Sequence, residues 1–180
     1  MVIALAGRRV DAPAAETRRF PPENVEIVRA RIRDELVSRG ANAVVCSAAC
    51  GSDLLALAEA GGLGIRRRVV LPFERQRFKQ SSVIDRPGEW GDLFDRVLDA
   101  VAARGDVITL SLEGVSDDAA YRAANDAILE QACDLAAASG DRACALIVWD
   151  GDSRGEGDLT EAFSRSGAAR GLPVYTVLTV

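Results

Sequence analysis

The stretch "VVCSAACGSDLLALAEAGGLG", residues 44–64, passes from β-branched residues through a run of small side chains into an alanine- and leucine-rich helical pattern. A short apolar run that ends in a small-residue turn and gives way to a helical period reads as a buried strand feeding a helix. The junction itself needs explaining, because Ser47, Ala48, Ala49, Gly51 and Ser52 place almost no bulk between the two elements.

The same unit recurs along the chain. Short apolar clusters at 2–6, 43–46, 69–71, 107–110, 145–149 and 174–177 read as buried strands. Helical patterns at 24–39, 52–60, 90–103, 118–138 and 160–170 lie between them; in the first, Val25, Val28, Ile32, Leu36 and Val37 fall on one face. This alternation predicts an α/β fold, a Rossmann-like three-layer sandwich with a mainly parallel central sheet, in one domain over residues 1–180. Residues 73–89 break the pattern, polar and aromatic without a clean period, and read as a long loop with a short helix. Arg66, Arg67 and Arg68 read as a solvated lead-in to the third strand.

Composition narrows the chemistry. With 48% hydrophobic residues the chain is too apolar for a disordered protein. No apolar run approaches the ~20 residues that span a bilayer, and "MVIALAGRR" is too short for the apolar part of a signal peptide. The expected compartment is the cytoplasm, with no membrane partner. Twenty-two basic against 27 acidic residues leave a net charge of −5, which repels duplex nucleic acid and makes it a poor partner. Cys46, Cys50, Cys133 and Cys144 lie in or beside apolar segments and read as buried thiols. Cys46 and Cys50 lack two further zinc ligands in a chain without histidine, so no metal is expected. The same lack removes the commonest acid/base and leaves carboxylates, arginine, tyrosine or the substrate itself for any catalysis.

In open parallel sheets ligands bind beyond the carboxyl ends of the strands, where helix N-termini present free amides. Gly7-Arg8-Arg9 follows the first strand, Ser47 to Asp53 the second, Pro72 the third, and Asp150-Gly151 through Gly155, Gly157, Thr160 and Glu161 the fifth. Small residues thus collect at one edge, where a phosphate or ribose can approach the backbone, Ser52 or Thr160 can add a hydroxyl, and Arg8 or Arg9 a charged fork. Glycine after a strand is also ordinary turn chemistry; two such loops and an arginine turn at one edge favour the ligand. Asp53 reads as a first-turn carboxylate that holds its loop. Asn125, beside Tyr121, reads as a tie between a helix and a loop, with ligand contact as the alternative.

In their order, "ALAGRR", "SAACGSD", "VVLPF" and "IVWDGDSRGEGDLTEAF" resemble the SLOG superfamily of Rossmann-like nucleotide-binding proteins, which includes the LOG phosphoribohydrolases and the DprA proteins. The segments "VDAP", "RRFPPENV" and "AYRAANDAIL" are similar to a bacterial branch of it. The resemblance covers nearly the whole chain. It implies a site for a nucleotide or nucleotide-derived ligand at Gly7, Arg8, Ser47, Gly51, Asp53, Gly155, Gly157 and Thr160, in a sensor or carrier module, with a homodimer as in relatives.

LOG enzymes carry P-G-G-x-G-T-x-x-E, whose glutamate assists cleavage of the base-ribose bond. Here the loop has no proline-glycine pair, and Glu161 directly follows Thr160. The branch has Gly-His-Arg where this chain has Gly7-Arg8-Arg9. Nucleotide binding is therefore the first expectation, and N-glycosidic hydrolysis through Glu161 or Asp158, with Arg8 on the phosphate, is the alternative.

Overall fold

The computed structural model describes residues 1–110, 112 and 114–180. Its strands are β1 (Val2–Gly7), β2 (Ala43–Cys46), β3 (Arg66–Leu71), β4 (Val107–Thr109), β5 (Ala143–Trp149) and β6 (Val174–Leu178). Between them lie α1 (Val25–Ser38), α2 (Ser52–Gly62), α3 (Arg75–Ser82), α4 (Trp90–Ala102), α5 (Asp117–Ser139) and α6 (Leu159–Ala169), with a 3-10 turn at Pro22–Asn24. The strands form one six-stranded sheet in the order β4-β3-β2-β1-β5-β6. Every pairing is parallel.

Side chains alternate across a strand, so each strand feeds two cores. Ile3, Leu5, Val44, Cys46, Val69 and Leu71 face Ile32, Leu36, Leu54, Phe94 and Leu98 of α1, α2 and α4. Val2, Ala4, Val45, Val70 and Ala145 face Ile128 and Leu129 of α5 and Phe163 of α6. The expected three layers are present. α5 returns the chain from the β4 edge to β5, packing on β3, β2, β1 and β5 on its way. Its buried Ala120, Ala124, Ala132 and Ala136 keep the helix close to the sheet at no cost in helix propensity. Ser116 caps its start and Gly140, at φ 68°, ends it.

β3 begins earlier than the β-branched run suggests, because Arg66, Arg67 and Arg68 belong to the strand. Arg66 is exposed, as expected of a solvated lead-in, but Arg67 and Arg68 are partly buried. Alternation sends Arg66 and Arg68 to one side, where both bond the carboxylate of Asp106, itself 3% exposed. Arg67 lies against Gly61, whose missing Cβ would stand 2.5 Å from Nη1. Residues 73–89 hold the expected short helix, α3. Cys46, Cys50 and Cys144 are buried, Cys133 partly so, and all four are free thiols. Burial pushes Cys50 up to about 12, an unreactive thiol. Among the described residues no helix is long and apolar enough to cross a membrane.

Of the small residues after β2, Gly51 and Ser52 are explained by close packing on the turn after β1. Gly51 has φ 91°, and a Cβ there would stand 2.9 Å from the Arg8 carbonyl oxygen and 2.9 Å from Val10 N. A Cβ on Gly7 would meet the Ser52 side chain at 2.5 Å. Ser52 completes the contact by donating both its N–H, at 3.2 Å, and its Oγ, at 2.8 Å, to the Arg8 carbonyl. The turn after β1 therefore sits directly on the start of α2. Gly51→Ala combines a backbone penalty with a backbone collision and is expected to cost roughly 2–4 kcal/mol. Gly155→Ala, at φ 86° with open space around it, should cost only about 1–2 kcal/mol. Urea unfolding of the two variants measures the difference.

Candidate functional site

The chain steps outward from β1 to β4 and then returns to β5 on the other side of β1. The connection after β1 leads to α1 on one face of the sheet, and that after β5 leads to α6 on the opposite face. Diverging connections of this kind open a crevice at the carboxyl ends of the two strands. Here the crevice is a cavity of about 860 Å³, the size of small-molecule sites. The end of β1 lines it, with the 8–19 connection, α3, the first half of α5 and the β5–α6 loop around it.

Of the residues singled out in the sequence, Gly7, Arg8, Arg9, Ser47, Asp53, Gly157 and Thr160 line this cavity. Turns far apart in the chain do meet on one rim. Gly51 and Ser52 lie behind the lining, holding the β1 turn. Ala48, Pro72 and Gly151 are also absent from it. Gly155 and Glu161 line a second hollow of about 570 Å³ with Arg122 and Arg165.

The two consecutive arginines diverge to opposite walls. Arg9 Nη1 bonds Asp85 at 2.9 Å and the Ser81 carbonyl at 3.1 Å, on the α3 side. Arg8 turns toward β5 and is 2% exposed. Its Nε donates to Asp150 at 2.8 Å, Nη1 and Nη2 grip both oxygens of Asp158 at 2.8 Å, and Nη2 also reaches the Asp152 carbonyl at 2.6 Å. Burial, which opposes the charge, is outweighed by these carboxylates, and the Arg8 pKa is raised. For Asp158 burial is likewise outweighed, by Arg8 and by the Arg154 and Glu161 N–H groups, and its carboxyl stays well below the usual range. The Arg8 guanidinium is therefore not the open phosphate fork expected from the sequence; it is neutralised inside the protein.

The helix starts are also occupied. Asp158 caps α6 through Thr160 N at 2.9 Å and Glu161 N at 3.3 Å. At α2, Ala49 N–H goes to Asp53, Cys50 N–H to the Ser82 carbonyl and Ser52 N–H to Arg8. Those amides are already paired within the protein, not left for a ligand anion. Glu161, the catalytic carboxylate of the alternative hydrolase reading, is held by Ser153 and then by Arg165, which keep it ionised. Asn125 is a tie, as expected, donating to the Leu159 carbonyl at 2.9 Å. Tyr121 ties α5 to α3 through Ser82 at 2.8 Å.

Other groups remain open to a ligand. Arg154, on the β5–α6 loop, makes no side-chain hydrogen bond or ion pair among the described residues; burial and then the neighbouring Arg8 lower its pKa. Ser47 Oγ and Arg86 Nε are buried without a partner among the described residues. Asp53 is 7% exposed and keeps one hydrogen bond, from Ala49 N at 3.2 Å. Phe78, Ala124 and Ile128 add an apolar wall. Arg154, Arg86 and the wall formed by residues 10–19 escaped the sequence reading. The unusual length of the connection at 8–21 was the available signal.

No protein-family model and no curated protein matches the chain. Among solved structures it is similar to DNA processing protein A (DprA) from Streptococcus pneumoniae, at 15% identity and a TM-score of 0.41. The match covers 96% of this chain and 57% of that one, so the chain spans less than two thirds of that structure's length.

Two stability effects follow from the site. Arg8→Ala would strand two carboxylates in the interior and should cost about 3–5 kcal/mol in denaturant unfolding, with or without any ligand. Burial pushes the Asp53 carboxyl up to about 7 against the opposing pull of Ala49 N–H and Arg9. The folded chain thus keeps a proton that the unfolded chain releases near pH 4, and stability falls as pH rises from about 4 to about 7. Asp53→Asn retains an acceptor for Ala49 N–H, so its Tm should match that of the parent at pH 4 and exceed it at pH 8.

Proposed function

We propose that the protein binds a nucleotide or nucleotide-derived small molecule in the cavity between the ends of β1 and β5, as a sensor or carrier. The observation that carries this reading is an open cavity of about 860 Å³ with an unpaired guanidinium, Arg154, on its wall. Arg154 is exposed at the cavity's edge, with its guanidinium unpaired among the described residues, and it can hold a phosphate by two parallel charged hydrogen bonds. Phe78, Ala124 and Ile128 suit a base, and the polar groups near β2 suit the sugar. Asp118, Glu16 and Glu156, also on the lining, repel extra anionic charge and favour one or two phosphates over three.

Hydrolysis at Glu161 has less support, since that carboxylate lines the other hollow and is held by Ser153 and Arg165. A DNA partner has little support from a chain of net charge −5.

Thermal shift against nucleoside mono-, di- and triphosphates and ADP-ribose tests the proposal. A ligand at a hundredfold excess over its Kd stabilises by about 2.7 kcal/mol, or roughly 5–10 °C at this size. Arg154→Ala should weaken a phosphorylated ligand by roughly tenfold or more while leaving the unliganded Tm unchanged. No shift from any phosphorylated compound would overturn the reading.

A further inference from the structure

The cavity's polar groups divide into those already used and those left open. Arg8 is saturated by carboxylates, Ser52 by the Arg8 carbonyl, Asn125 Nδ2 by Leu159, and Tyr121 by Ser82. At the end nearest β2 two groups remain. Ser47 Oγ is buried with no partner among the described residues. Asp53 lines the same cavity, is 7% exposed and has only the Ala49 N–H, on one of its two oxygens.

A buried hydroxyl and a buried carboxyl with spare capacity are costly unless a partner arrives. The chemistry of that partner is constrained. A phosphate would be repelled by Asp53 and has Arg154 available instead. A ligand hydroxyl is neutral, donates to a carboxylate oxygen and accepts from a serine hydroxyl, so its chemistry complements either group.

We infer that Ser47 and Asp53 form a hydroxyl-recognition end of the cavity, which selects ligands carrying the vicinal hydroxyls of a ribosyl group over those that lack them. This inference rests on the reading of the cavity as a nucleotide site and deepens it. Burial pushes the Asp53 carboxyl up to about 7, so near neutral pH it is present in both forms and can give a hydrogen bond as well as accept one, which suits a diol whose two hydroxyls point differently.

The experiment uses the full chain and titrates the 5′-monophosphates of adenosine, guanosine, cytidine and uridine against their 2′,3′-dideoxy counterparts by calorimetry. The parent protein should bind at least one ribonucleotide roughly tenfold or more tightly than its dideoxy form, the loss expected for a hydrogen-bonded hydroxyl at a buried polar site. Asp53→Ala should bring the two affinities together. Ser47→Ala, a milder change, should narrow the same gap, and Arg154→Ala should weaken both ligands while keeping their ratio. Equal binding of ribo and dideoxy forms by the parent would overturn this inference and leave the nucleotide site standing, as would a preference that survives in both the Asp53 and Ser47 variants. Binding of no monophosphate by the parent would count against the nucleotide site and the hydroxyl end together.

Discussion

Arg8 is held between Asp150 and Asp158, and much of the molecule's functional edge depends on that contact. A guanidinium at 2% exposure survives burial only with its donors filled. Two carboxylates and a backbone carbonyl fill them here. The contact joins the turn after β1 to the loop after β5, and Asp158 carries it on into α6 by capping its first turn. Arg19 adds a second bond to Asp150 at 2.5 Å, bringing the 8–19 connection to the same anchor. Three segments of chain are thereby held around one crevice.

The neighbouring Arg9 reaches the other wall, where its ion pair with Asp85 is about 30% exposed on each side. Adjacent residues thus make very different contacts. The Arg8 contact is desolvated and geometrically complete, so its removal leaves buried charge behind. The Arg9 contact lies in water's reach and contributes little to stability. Between these two tethers the cavity stays open, and its unsatisfied groups, not its saturated ones, define what it can recognise. Arg8 is thus spent inside the protein, Arg154 is left without a side-chain partner among the described residues, and Glu161 lies outside the cavity.

The fold was legible because its signals are local. Strand runs at 43–46 and helical periods such as Val28, Ile32 and Leu36 report burial on one face, and burial follows from periods of two and 3.6. Where the reading erred, a long-range partner was the cause. Arg66 and Arg68 look like a solvated run until Asp106, nearly forty residues on, is brought beside them. The glycines at 7 and 51 read as positions for close approach of a ligand; in the structure the Ser52 side chain and the Val148 carbonyl crowd Gly7, and the backbone of residues 8–10 crowds Gly51.

Sequence alone determined the order of strands and helices, the parallel three-layer architecture and the collection of small-residue turns at one sheet edge, because each is written in short-range periodicity and turn chemistry. Only the tertiary structure decided which charges are spent and which are free. Arg8 meets Asp150 and Asp158 across 142 and 150 residues of chain, and no local pattern distinguishes that arginine from Arg154. Pairing at such separations is chosen by the geometry of the folded sheet, where the arginine that reaches two buried carboxylates is neutralised and the one left over lines the cavity.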